Sequence, residues 1–161
     1  MVGAGASRLV AELLADGYGS VVAVDVSDAG LARLAEQLGP AADRVRLLHA
    51  DVRTVRLDSQ VAVWHDRATF HFMTEEADQR AYATSAREAV RPGGHIVIAT
   101  FAADGPQQCS GLPVTRHGPE SLQRVFGSGF EVVEHFERDH TTPSGMTQRF
   151  LHAVLRARTA S

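Results

Sequence analysis

Hydrophobic positions along the chain alternate between two rhythms. After Ser7, Leu9, Val10, Leu13 and Leu14 recur at helical spacing, with Ser7 placed to cap the start and Gly17 to end the helix. Residues 21–26 are instead a nearly unbroken β-branched run closing on Asp25 and Val26, the pattern of a strand covered on both faces. The rhythm then repeats. Ser27 or Asp28 caps a helix carrying Leu31, Leu34 and Leu38, Gly39-Pro40 stops it, and residues 45–49 form the next strand, followed by Asp51. Further on, the pattern predicts a strand at 61–64, an amphipathic helix over about 75–90 and a turn at Arg91-Pro92-Gly93-Gly94. A strong strand at 95–101 follows, then a Gly, Pro, Gln and Ser-rich loop at 102–119. A short helix at 120–126 and two strands near 130–136 and 148–155 complete the reading. Strand and helix alternate throughout, which argues for an α/β fold with a largely parallel sheet.

At 161 residues the chain suits one domain, spanning 1–161, with no internal repeat. The formal net charge is -3 and the arginines are scattered, so no electrostatic footprint for nucleic acid or anionic lipid is expected. Every one of the 16 basic residues is an arginine. Chemistry that needs a lysine is thereby excluded, including Schiff-base enzymes, the P-loop and Tyr-x-x-x-Lys reductases. The single Cys109 cannot make an internal disulfide, no signal peptide is apparent, and no apolar stretch approaches the ~20 residues that cross a bilayer. The expected setting is cytoplasmic, without a membrane partner. No closely spaced Cys and His set suggests a metal.

The opening Val2-Gly3-Ala4-Gly5-Ala6-Ser7 is a glycine-rich strand-to-helix turn, which lets a ligand approach the backbone at a helix mouth. A dinucleotide fingerprint requires a third glycine at position 8, which is Arg8. Asp25, about 20 residues on, stands where a carboxylate accepts ribose hydroxyls of any adenosine cofactor. The strand leading into the turn is almost absent from the sequence.

The series V-G-A-G-A-S, V-A-V-D-V-S, H-A-D-V, V-W-H-D-R and R-P-G-G-H-I-V-I-A-T-F resembles, in order and spacing, the successive motifs of class I S-adenosylmethionine-dependent methyltransferases. The resemblance implies a doubly wound Rossmann-like sheet, mostly parallel, with an antiparallel C-terminal strand at its edge and a truncated first strand. It also implies S-adenosyl-L-methionine as cofactor. Gly3, Gly5 and Ser7 would line its methionine end, Asp25 would hold the ribose, and Asp51 would meet the adenine amino group. Val26 and Val52 would wall the adenine, and Trp64, His65 and Asp66 would lie near the methyl group. The family usually places an acidic residue two positions before the first glycine, where this chain has Met1.

Methyl transfer needs mainly alignment and exclusion of water. Where the acceptor carries a proton, His65, Asp66 or His71 is positioned in sequence to take it. Asp66 and Arg67 could equally pair with each other or with neighbouring backbone. The acceptor is expected to be a small molecule, with a protein side chain also open, and the oligomeric state is not legible. Two other readings stand beside this one: a fragment of an NAD-dependent oxidoreductase, and a cofactor-binding protein without catalysis.

Overall fold

A computed structural model describes residues 1–159, which divide into two compact units, Met1–Val55 and the residues from Arg56 onward. In the first unit, α1 (Leu9–Ala15), β1 (Val21–Asp25), α2 (Asp28–Leu38) and β2 (Val45–His49) follow one another as the hydrophobic rhythm predicts. β1 and β2 pair in parallel, Val21 opposite Val45 and Asp25 opposite His49. The apolar stripe of each helix meets this pair: Val10 and Leu14 of α1, and Leu31, Leu34 and Leu38 of α2, form one core with Val21, Ala23 and Val45. Ser27 caps α2 by accepting the Gly30 N–H at 3.0 Å. Ser7 accepts only from Leu9, at 3.2 Å, and Arg8 occupies the cap position of α1 without a side-chain bond.

Residues 1–4 run alongside β1. Val2 forms a single parallel bridge with Val24, the Val24 N–H donates to the Met1 carbonyl and the Ala4 N–H donates to that of Val24. Val2 and Ala4 are both buried, so this short segment packs as a strand would although it makes one bridge and no ladder.

The second unit contains β3 (Val61–Arg67), α3 (Glu76–Ala89), β4 (Val90–Phe101), α4 (Pro119–Phe126), β7 (Phe130–Thr141) and β8 (Thr147–Ala157). Between β4 and α4 lies a two-residue hairpin of β5 (Gln108–Cys109) and β6 (Leu112–Pro113), in the region expected to be loop throughout. The sheet order is β3-β4-β8-β7, with β3 and β4 parallel and β8 antiparallel to both its neighbours. The antiparallel C-terminal strand is therefore present, but it lies one place in from the edge, and β7 takes the edge itself. β7 and β8 also run longer than expected: β7 gains residues 137–141, polar residues that pair without being buried, and β8 gains Thr147, Arg156 and the buried Ala157.

Arg91-Pro92-Gly93-Gly94 lies within β4 as an irregularity: Val61 pairs with Val90 and Val63 with His95. Gly94 is required there by space, since a Cβ would fall 2.8 Å from the Ala62 carbonyl oxygen. One face of this sheet carries Trp64, Asp66, Ile96 and Ile98, all buried, and is met by Tyr82 of α3. The alternate residues, among them His65, Val97, Phe136, His152 and Val154, line a groove on the other face.

Candidate functional site

In the first unit, the glycine turn, the end of β1 and the start of α2 are tied together by one carboxylate. Gly3 and Gly5 have φ of 58° and 44°, a backbone that side chains with a Cβ rarely adopt. The Gly5 N–H donates to Asp25 Oδ2 at 2.7 Å, and the Ser27 N–H donates to Asp25 Oδ1 at 2.8 Å. Asp25 is placed by β1, which ends there, and each oxygen keeps lone pairs for a further donor. A Cβ on Gly5 would stand 3.9 Å from Asp25 Oδ2, so the absent side chain leaves open the space over the carboxylate.

Val26, next along, is 66% exposed, an uncommon position for a valine at a strand end and suited to an apolar ring. These four residues have the chemistry an adenosine-bearing group needs: a part-exposed carboxylate, an apolar wall beside it and a backbone cradle. Asp51 differs. Its oxygens accept the Arg53 N–H at 2.8 Å and the Arg53 Nε and Nη2, at 3.0 and 2.5 Å. The side-chain bonds to Arg53 hold the Asp51 carboxyl below the usual carboxylate range. Val52 is buried. Sequence reading missed Arg53, although two residues from an aspartate is the spacing of a local turn contact.

In the second unit, the W-H-D-R segment splits by strand alternation. Trp64 and Asp66 point into the interior. The Trp64 indole N–H donates to the Tyr82 oxygen at 2.9 Å, and the Tyr82 hydroxyl donates to Asp66 Oδ2 at 2.5 Å. Asp66 also accepts the N–H groups of Thr69 at 2.9 Å and Phe70 at 3.1 Å. Those bonds hold the turn in which Ala68 sits at φ 63°, a strained value for a residue with a Cβ. Burial raises the Asp66 carboxyl to about 6, against the lowering effect of its hydrogen bonds.

Asp66 is 0% exposed and its partners are all internal, so it organises the turn and does not reach an acceptor. Nor does it pair with Arg67, which alternates to the opposite face. Trp64, with its indole bonded inside the unit, likewise has no free polar edge for a ligand. Tyr82 was missed in the sequence because a tyrosine on the apolar stripe of a helix reads simply as core.

His71 is also 0% exposed, packed on Phe72 and Phe101, and neither ring nitrogen has a partner. Burial, with His117 nearby, pushes it down to about 4. The expectation that His71 takes a proton from an acceptor is corrected by this burial. Of the expected trio, His65 and Asp66 both border the groove, but only His65 has a side chain that is part-exposed. Burial chiefly, and Arg67 in addition, keep its ring below the ordinary histidine range, so it is a neutral base at neutral pH.

Together, the parallel α/β elements and the glycine and carboxylate turn define an adenosine-binding Rossmann-like protein. Residues 1–94 match the family described as methyltransferase domain, and the chain belongs to that family. No curated protein sequence matches it. Among solved structures, an S-adenosylmethionine-dependent methyltransferase from Methanosarcina mazei superposes with a TM-score of 0.79 at 12% identity, over 99% of this chain and 91% of that one. The N-methyltransferase NodS from Bradyrhizobium japonicum, in complex with S-adenosyl-L-homocysteine, gives 0.75 at 13% identity over 98% and 76%. The 1,6-didemethyltoxoflavin-N1-methyltransferase of Burkholderia thailandensis, with 1,6-didemethyltoxoflavin and S-adenosylhomocysteine bound, gives 0.74 at 24% identity over 98% and 69%. At these identities the likeness carries the fold: a Rossmann-like sheet, mostly parallel, with an antiparallel strand. Among the described residues no helix is long and apolar enough to cross a membrane.

Proposed function

We propose that this methyltransferase acts on a small molecule, with residues 1–161 serving as one cofactor-binding domain. Its methyl donor is S-adenosyl-L-methionine, which when bound supplies an electrophilic methyl group on a sulfonium. The observation that carries the reading is the Asp25 carboxylate, held by the Gly5 and Ser27 amides under the open space left by a glycine. Asp25 would accept the ribose hydroxyls, Val26 would cover the adenine, and Gly3, Gly5 and Ser7 would admit the methionine end. Asp51 would meet the adenine amino group with the part of its side chain that Arg53 leaves exposed. A small acceptor is supported by the structural neighbour whose bound ligand is 1,6-didemethyltoxoflavin. His65, neutral and facing a groove, would accept the proton of an acceptor that loses one.

Calorimetric titration with S-adenosylhomocysteine and with NAD tests the donor. Binding of the first alone is expected. Asp25→Asn places an amide N–H against a backbone N–H and weakens S-adenosylhomocysteine binding by about 10- to 100-fold, the equivalent of one hydrogen bond to a charged group. NAD binding, or unchanged affinity in D25N, would overturn the assignment. His65→Ala is expected to keep S-adenosylhomocysteine affinity while lowering turnover of a proton-losing acceptor by about 10²-fold or more.

A further inference from the structure

The groove on the second unit's sheet has a volume of about 160 Å³ at its His65 end, and it continues along the β7 and β8 ladder past His152. Its floor is a line of rings. Phe136 and His152 lie face to face, with centroids 4.9 Å apart and planes within 6° of each other. Phe150 follows His152 at 6.3 Å, and His140 lies 6.2 Å beyond Phe150.

Two guanidinium groups, Arg67 from the end of β3 and Arg138 from β7, flank these rings. Neither makes a salt bridge or hydrogen bond to any described residue, whereas neighbouring Arg149 is engaged by Asp104, Glu137 and Asp139. Asp139, the acidic group at this end of the groove, is thus already paired. Glu134 lies at the other end, four residues from Arg138 and so about 13 Å away along an extended strand.

An unpaired pair of cations converging on a stacked aromatic floor is complementary to a flat ring bearing one anionic group. A ring of that kind would extend the Phe136 and His152 stack while its anion met Arg67 and Arg138. A second anionic group at the far end would face Glu134 and be repelled. The fold agrees with this placement, because α/β sheets present ligands beyond the carboxyl ends of their parallel strands, and Arg67 is the last residue of β3.

We propose that this groove binds a small planar molecule carrying a single carboxylate or similar anion and, resting on the methyltransferase reading above, that this molecule is the methyl acceptor. The test uses the whole chain and three probes: 4-hydroxybenzoate, phenol as the same ring without the anion, and acetate as the anion without the ring. Binding is followed by shifts of the His152 and His65 ring protons, and S-adenosylhomocysteine is titrated calorimetrically on the same preparation.

4-Hydroxybenzoate is expected to bind about tenfold more tightly than either fragment, and Arg67→Gln or Arg138→Gln is expected to abolish that advantage. Both arginines are exposed, so folding does not depend on them. Equal binding of phenol and 4-hydroxybenzoate, or the same affinity in R67Q and R138Q, would overturn the groove assignment. If that happens while S-adenosylhomocysteine still binds, the methyltransferase reading stands. If 4-hydroxybenzoate binds as expected and S-adenosylhomocysteine does not, the groove assignment is upheld and its acceptor role is overturned together with that reading.

Discussion

Asp25 and Asp66 are both carboxylates near the carboxyl ends of parallel strands, and the difference between them is exposure. Asp25 is part-exposed and holds two amides with lone pairs to spare, while Asp66 is sealed and fully committed. The Trp64, Tyr82 and Asp66 chain is therefore a matter of stability. Tyr82→Phe removes the hydroxyl that donates to a buried carboxylate and accepts from a buried indole. It is expected to lower unfolding free energy by about 2–4 kcal/mol, read as a shift of the urea midpoint at constant slope. Sequence order places the motif, but it does not tell which of two adjacent residues faces inward until the strand's register is known. What spacing made legible was backbone geometry: the positive φ of Gly3 and Gly5, and the place of Asp25 at the end of β1 against that turn. Arg67, Arg138 and His152 were not legible, because their convergence is created by pairing β8 with β7 across a sheet that the sequence does not number.

At the scale of elements, apolar periodicity located almost every helix and strand. β2 falls at the expected residues, and α2 is capped by Ser27 as its side chain suggests. The misplacements have identifiable causes. The end of β7 is a run of exposed polar residues, so no alternation of burial marks it, and hydrogen bonding extends β7 and β8 past the apolar pattern. The R-P-G-G segment reads as a turn because Pro and Gly usually make one, yet its second glycine serves close packing of β3 on β4. Gly94→Ala is expected to cost about 1–3 kcal/mol, since its methyl would meet two carbonyl oxygens and the Val90 side chain within 3 Å. Gly111→Ala, with nothing within 4 Å but a φ of 79°, should cost only the smaller penalty of its backbone conformation. Thermal melts of the two variants separate packing from conformation.

For the molecule as a whole, histidines buried in their neutral form govern behaviour in acid. His71 and His117 are at most 1% exposed, three of their four ring nitrogens lack partners, and burial lowers both to about 4 from an ordinary 6.5. Between those values the unfolded chain binds protons that the folded chain does not, so stability is full above about pH 6.5 and falls as pH drops toward 4. His65 and His152, also lowered, act in the same direction. Asp66 acts in the opposite one. Raised from 3.8 to about 6, it favours the folded state increasingly as pH falls through that window. Two histidines outweigh one aspartate, and the net loss from pH 7 to pH 5 is expected to be about 2–3 kcal/mol. Urea unfolding at the two pH values checks it. A midpoint that rises in acid would show that Asp66 dominates.

The outer edge of the second sheet has a consequence for how the protein behaves in a crowded solution. Among the described residues β7 leaves one row of backbone N–H and C=O groups without a neighbouring strand, and such a row is a template on which another extended chain can assemble. Along it stand Glu131, Glu134, Glu137 and Asp139, interrupted by Arg138, with Glu131 paired to Arg156 and Glu137 and Asp139 to Arg149. Any strand approaching that edge has to bring its own backbone beside closely spaced, hydrated charges and ion pairs that it would have to desolvate. The ladder of β7 and β8 can therefore be long and open without inviting fibre growth.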